Sequence, residues 1–209
     1  MKKSALNVGV DVPWVTSWTV ETIVGVRRCP TVGGHPALVQ TEASGNGRPV
    51  YSQNHLVRQR RTVLGMLCPM CGRPTPPEDR WTQVARQTPA GLLRRAGKAV
   101  GLSREIEDRQ VVVDAGSIAP SHKACVDRSL RYCPHLKADP EVDVMPFPAR
   151  WTILPLLIEA SPTLEGGAVA GAAILVVTFL QLVGITGRMD RDWRFRRVAP
   201  RRRIGQRRQ

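Results

Sequence analysis

Cys68-Pro-Met-Cys71 and His122-Lys-Ala-Cys125 are two short chelating pairs, each with two residues between its donors. Thiolate sulfur and neutral imidazole nitrogen are the donors zinc prefers, and two such pairs close a tetrahedron around one ion. Two intervening residues let a single backbone turn present both donors to the same point. Gly72 follows the first pair directly and tolerates the positive φ that such a turn uses. Four filled positions leave no place for a reactive water, so the chemistry implied is structural, with zinc as the cofactor and Cys68, Cys71, His122 and Cys125 as its ligands. Cys133-Pro-His135 lies just beyond the second pair and offers Cys133 and His135 as substitutes if His122 is not a ligand.

The donors need elements to carry them. Asn54 to Leu67 reads as a helix that delivers the chain into Cys68, with Leu56, Val57, Val63, Leu64 and Leu67 at approximate helical spacing. Arg58, Arg60 and Arg61 form a basic patch along it. A second helix from Ala124 to Leu136 is expected to carry the second pair into Cys133. Between the pairs lies a long insert over residues 72–121. It opens on a rigid loop with Pro74, Pro76 and Pro77, continues into a basic helix within Pro89 to Leu102, and ends near a short strand at Gln110 to Val113. Zinc ribbons separate their pairs by roughly 15–20 residues, so the insert is an elaboration of that plan. Upstream, residues 1–57 look β-rich and irregular, with turn signals at Gly33-Gly34 and Ser44-Gly-Asn-Gly47.

The stretch Leu56-Val-Arg-Gln-Arg-Arg-Thr-Val-Leu-Gly-Met-Leu-Cys-Pro-Met-Cys-Gly-Arg-Pro74, with Arg131-Tyr-Cys133-Pro-His-Leu136 downstream, resembles a family of uncharacterised actinobacterial zinc-ribbon-like proteins. Those proteins carry an Arg-Gln-Arg-Arg helix before a Cys-x-x-Cys-Gly-Arg-Pro, then a Cys-x-x-Cys and a Cys-Pro-x-Leu. Pro13-Trp-Val-Thr-Ser-Trp18 is similar to their N-terminal segment. In that correspondence Cys68, Cys71 and Cys125 match directly, and His122 stands where the family has a cysteine, which keeps a zinc donor in place. The resemblance covers roughly residues 10–140 and brings no established activity with it.

Composition narrows the classes of partner. The 209 residues carry a net charge of +14, and ten Arg against two Asp place +8 of it between Arg188 and Gln209. Such a chain favours polyanions: nucleic acid, an acidic protein or an anionic membrane surface. Arg194, Arg196, Arg197, Arg201, Arg202 and Arg203 join Arg58, Arg60 and Arg61 as candidate phosphate contacts, and the tail itself reads as disordered. Met1-Lys-Lys is not followed by a sustained apolar stretch, so the five cysteines read as reduced thiols of a cytoplasmic protein, with Cys29 standing alone. No small-molecule substrate site is evident. No Gly-rich phosphate loop or Gly-x-Ser-x-Gly elbow is present, and Val113-Asp-Ala-Gly-Ser-Ile-Ala-Pro120 lacks the histidine of a zinc-braced HNH nuclease, so no enzyme is expected.

Gly166 to Gly187 is an uncharged apolar run of about 22 residues, long enough to cross a bilayer as a helix. Its Gly167-x-x-x-Gly171 suits close helix packing, and the Arg cluster behind it would stop transfer on the cytoplasmic side. The competing expectation is a buried C-terminal helix. The fold class that results is α+β: a β-rich N-terminal segment (1–57), a zinc-ribbon-like module (58–140) with its insert, a Pro-rich connector (141–165), an apolar helix (166–187) and a basic tail (188–209). The expected function is non-enzymatic binding of nucleic acid or a nucleic-acid complex. The alternatives are a single-pass membrane-anchored protein with a polybasic tail, and a protein–protein adaptor of a phage or mobile element.

Overall fold

The computed structural model describes residues 3–83, 86–99, 101–116, 118–133, 136, 143–160, 163–164, 167–168 and 174–197. Its strands are β1 (Thr16–Trp18), β2 (Ile23–Arg28), β3 (Pro36–Gln40), β4 (Pro49–Asn54), β5 (Trp81–Thr82), β6 (Arg86–Pro89), β7 (Gln110–Asp114), β8 (Met145–Pro146), β9 (Arg150–Ala160), β10 (Thr163–Leu164), β11 (Gly167–Ala168) and β12 (Ile174–Met189). They are joined by the helices α1 (Leu56–Gly65), α2 (Ala90–Arg95) and α3 (Lys123–Tyr132). This is a mixed α and β chain in which strands dominate. One six-stranded sheet, ordered β2-β3-β12-β7-β6 with β9 also paired to β12, draws on the N-terminal segment, the insert and the C-terminal third alike.

The apolar run is where expectation and structure part. Residues 174–187 are neither a buried helix nor a membrane-crossing one; they are most of β12, the centre of the sheet. No helix among the described residues is long and apolar enough to cross a membrane. The physical reason lies in the residue types. Ile174, Val176, Val177, Thr178, Val183, Ile185 and Thr186 are β-branched, and Gly184 and Gly187 interrupt what a helix would need to be continuous. A strand covered on both sides reads as an unbroken apolar run, which is also what a spanning helix looks like.

β9 covers one edge of β12 from Ile174 to Ile185. The other edge is shared in succession: β3 meets it at Val177, in parallel, and β7 takes over from Val183 to Met189. Between those two contacts the loop after β7 reaches Leu182, whose N–H donates to Gly116 O (3.0 Å) and whose carbonyl accepts from Ala115 N (3.1 Å). Helix α1 closes what remains. Its Gln59 side chain bonds the Leu180 main chain in both directions, and Arg60 donates to Thr178 O and Leu38 O. The core gathers against this face: Ala37, Val63, Met66, Val113, Phe147, Val177, Leu180 and Leu182 form one apolar cluster, and Ala90, Leu93, Val112, Leu154 and Val183 another.

Candidate metal centre

Helix α1 ends at Met66, whose φ of 46° and N–H bond to Thr62 O break the helix and turn the chain toward Cys68. Cys68 N donates to Arg73 O and Gly72 N to Cys68 O, both at 2.8 Å, which folds Cys68–Arg73 into a tight knuckle. Gly72 sits at φ +75°, and a Cβ built there would lie 2.8 Å from the Trp14 ring, so glycine is required both by conformation and by space. The N-terminal segment is strapped over this knuckle: Trp14 N donates to Met70 O and Val15 N to Pro69 O.

The second pair arrives on α3. His122 is its N-cap residue, and Cys125 lies in its first turn. The approach is fixed from the insert. Trp81 and Ser121 exchange two main-chain bonds (2.9 and 2.8 Å), and Asp79 accepts from Lys123 N at 2.7 Å, capping α3. Thus the second half of the site is a helix start, where a zinc ribbon would place a second β-turn.

Cys68, Cys71, His122 and Cys125 converge so that their donor atoms all lie within 4.8 Å of one another, and together they could hold a metal ion. Cys71 Sγ is 3.5 Å from His122 Nδ1 and Cys125 Sγ is 4.0 Å from it. His122 Nε2 is 2.9 Å from Pro74 O, so Nε2 carries the proton and Nδ1 offers its lone pair to the cluster. Cys68 and Cys125 are buried while Cys71 and His122 are half-buried.

The cysteines differ in their electrostatic surroundings. Burial and the adjoining Cys68 and Cys71 push the Cys125 thiol up to about 12. Burial also disfavours the Cys71 thiolate, but the Arg73 N–H and guanidinium outweigh it and bring Cys71 down to about 7. The two shifts run in opposite directions because Cys71 has the Arg73 donors beside it, whereas Cys125 is buried against neighbouring sulfurs. A divalent ion held by these four residues would keep its sulfur ligands as thiolates.

Cys133 caps the far end of α3, its N–H bonded to Ser129 O, and is not among the four converging residues. His135 lies outside the described residues, as do Arg201, Arg202 and Arg203. All five cysteines are free thiols.

The arginines divide into two groups. Arg58 and Arg60 are 2% and 0% exposed, with their terminal nitrogens bonded inside the fold, so neither is placed to meet a phosphate. The apolar spacing of α1 conceals this, because the partner of Arg58 is Glu21, far away in sequence. Arg61 is exposed and pairs with Glu42 at 2.9 Å. Arg194, Arg196 and Arg197 are exposed beyond β12. Asp114, the acidic residue of the stretch compared with a nuclease core, accepts from Gln181 Nε2 (2.6 Å) and Gly116 N (2.9 Å), which gives it a place in the fold.

One basic surface was not anticipated in full. Trp193 packs on Gly91 of α2, under the Arg95 and Arg194 guanidinium groups at 5.0 and 5.7 Å from the ring centre. Arg95 also donates to Trp193 O at 3.1 Å, pinning the turn that exposes Phe195. A groove lined by Arg188, Arg191 and Arg196, together with Asp190 and Asp192, runs beside it, and an adjoining one adds Arg86, Lys98 and Arg197. The signal in the sequence was Trp193 and Phe195 interleaved with arginines; that α2 would add Arg95, and the segment after it Lys98, was not readable from it. Comparison with known proteins returns no matching family model, no matching curated protein and no matching solved structure.

Proposed function

We propose that the chain is a non-enzymatic protein, built around a structural zinc ion, that binds nucleic acid through the basic surface centred on Trp193 and Phe195. The observation that carries this reading is Phe195, 86% exposed and flanked in sequence by Arg194, Arg196 and Arg197, all exposed. An apolar ring held in water beside cations suits a base stacking on its face while the guanidinium groups meet phosphates. The zinc ion would act on this surface only through the fold, since its four protein donors leave no position for a substrate.

The test is filter binding of the zinc-loaded full chain to labelled oligonucleotides over a range of salt. Affinity should fall steeply with salt, with a log–log slope of roughly −0.7 to −0.9 per phosphate contacted. The triple variant Arg194→Gln, Arg196→Gln, Arg197→Gln should flatten that slope by about two to three such contacts. No binding at low salt, or a triple variant indistinguishable from the parent, rejects the proposal. Retention of a protein partner after nuclease treatment, with no oligonucleotide binding, would point to an adaptor.

A further inference from the structure

Trp193 and Phe195 stand on one short turn, and their rings are used differently. The Trp193 ring is taken up by the fold. A Cβ on Gly91 would come within 2.5 Å of it, and the Arg95 and Arg194 guanidinium groups lie 5.0 and 5.7 Å from its centre. Arg95 also donates to Trp193 O (3.1 Å) and Arg196 O (3.3 Å), before and after Phe195 in the chain. The turn is therefore held against α2 before any ligand arrives. The Phe195 ring has no such cover and stands in water.

Arg196, the next residue, leads from that ring into two open depressions, because it lines both. Their volumes are about 450 and 380 Å³. They also share Gln87 and Pro89 of β6, an outer strand of the sheet, so they adjoin and make one channel. Arg188, Arg191 and Arg196 line its first half, and Arg86, Lys98 and Arg197 join in the second. Two of its carboxylates are already engaged: Asp190 accepts from Arg196 Nε and Asp192 N, and Asp114 from Gln181 and Gly116 N. Asp192 is the exposed one. The Arg196 side chain stays 62% exposed despite its bond to Asp190. The channel thus presents a surplus of positive charge to whatever lies in it.

We propose that this surface is a single-strand site: one unpaired base stacks on Phe195, and the adjoining phosphates follow the channel past Arg196. This rests on the reading of the chain as a nucleic-acid binder and names the class of nucleic acid. The class follows from the ring and the channel together. In a duplex each base is covered on both faces by its neighbours, so a protein ring finds a free face where the strand is unpaired. Depressions of this size admit a chain one nucleotide wide and are too small for a duplex. Every base has a π-face, so the platform tolerates any sequence. A ring fixed beforehand loses little freedom on binding, which is the advantage of this turn over a free basic tail.

The test is fluorescence anisotropy of the zinc-loaded full chain with labelled probes of about 12 nucleotides: oligo(dT), a mixed-sequence strand, and that strand annealed to its complement. A surface acting by charge alone would prefer the duplex, whose charge is denser. Here both single strands should bind at least tenfold more tightly than the duplex. Phe195→Ala should weaken single-strand binding about tenfold and leave its salt slope unchanged, since it removes a stack and no cation. Phe195→Trp keeps a face for stacking and should bind single strands like the parent. The ring is exposed, so neither substitution disturbs the core. The inference fails, with the broader reading intact, if the duplex binds as tightly as the strands or if Phe195→Ala binds them as the parent does. No binding of any probe at low salt rejects both.

Discussion

The side-chain amide of Gln59 and the main chain of Leu180 exchange two hydrogen bonds: Gln59 Nε2 donates to Leu180 O at 2.7 Å, and Leu180 N donates to Gln59 Oε1 at 3.0 Å. A primary amide has the donor and acceptor of a peptide unit, so Gln59 stands in for a strand residue. It does so where β12 has left β3 and has not yet met β7. With Arg60 on Thr178 O just before it, and Ala115 and Gly116 on Leu182 just after, every second residue of this edge is bonded by something other than a ladder. That is why a helix reading Arg-Gln-Arg is buried against the middle of an apolar sheet.

Gln59→Leu keeps the volume and removes both bonds, leaving a buried N–H and a buried carbonyl of Leu180 unpaired. The expected loss is roughly 2–4 kcal/mol, since each orphaned group costs about 1–3 kcal/mol. Urea unfolding of parent and variant checks it. A loss below about 0.5 kcal/mol, the scatter of ordinary surface changes, would show that the amide is dispensable.

Arg58 and Glu21 are buried together, at 2% and 0% side-chain exposure, with Arg58 Nη1 and Nη2 each donating to a Glu21 oxygen (2.7 and 2.8 Å). Ala43 N and Trp18 N take the remaining carboxylate positions, at 2.9 and 2.8 Å. Burial would raise Glu21, but the guanidinium and the two N–H groups overcome it and hold the carboxyl below its usual range. Arg58→Met should therefore cost about 3–5 kcal/mol, because it strands the carboxylate. The double variant Arg58→Met, Glu21→Gln should recover part of that loss in the same unfolding measurement. If the double variant is as unstable as the sum of the two single ones, the pair is not coupled.

What could be read in the sequence was what depends on local spacing. The two chelating pairs, the helix that leads into Cys68, the short strand at Gln110 and the helix carrying Cys125 all follow from residues within one or two turns of each other. What could not be read depends on distant partners. Nothing near Arg58 or Arg60 announces a carboxylate thirty-seven positions upstream of Arg58, or carbonyls on β3 and β12, so the helix reads as a basic surface. In the run ending at Gly187, every residue from Leu180 to Gly184 is buried on β12, so periodicity there cannot separate strand from helix. Its β-branched residues and internal glycines were the discriminating signal.

Acid should destabilise the fold through His55. The ring is fully buried at the start of α1, with Nδ1 accepting from Arg58 N at 3.2 Å and Nε2 donating to Thr41 O at 3.0 Å. A neutral imidazole satisfies both bonds; a second proton would fall on Nδ1 and meet the Arg58 N–H. Burial lowers its proton affinity, the Thr41 carbonyl opposes this, and the Arg58 charge adds to the lowering. The folded value lies below the unfolded one, so the unfolded chain binds the extra proton first. The stability is whole above about pH 6.5 and is lost as pH falls from there through the folded value, by up to about 1.4 kcal/mol per pH unit. Unfolding at several pH values with saturating zinc should give a shallower slope for His55→Gln than for the parent. Equal slopes would mean that His55 is not the responsible group.

Metal content distinguishes the four converging donors from their neighbour. The purified chain should hold one zinc per molecule, and replacing zinc with cobalt should give the absorption of a tetrahedral thiolate site. His122→Ala removes the donor whose Nδ1 lies 3.5 Å from Cys71 Sγ, so metal should be lost or bound at least tenfold more weakly. Cys133→Ala changes a residue at the far end of α3 and should leave both stoichiometry and spectrum unchanged. Because a bound ion would tie Cys68 and Cys71 to His122 and Cys125 at the start of α3, chelation should lower the melting temperature of the parent and not merely bleach the cobalt bands. Metal retained in His122→Ala but lost in Cys133→Ala would move the site to the other donor set. A parent whose melting is indifferent to chelator would show that the fold around Cys68 and Cys125 closes without an ion.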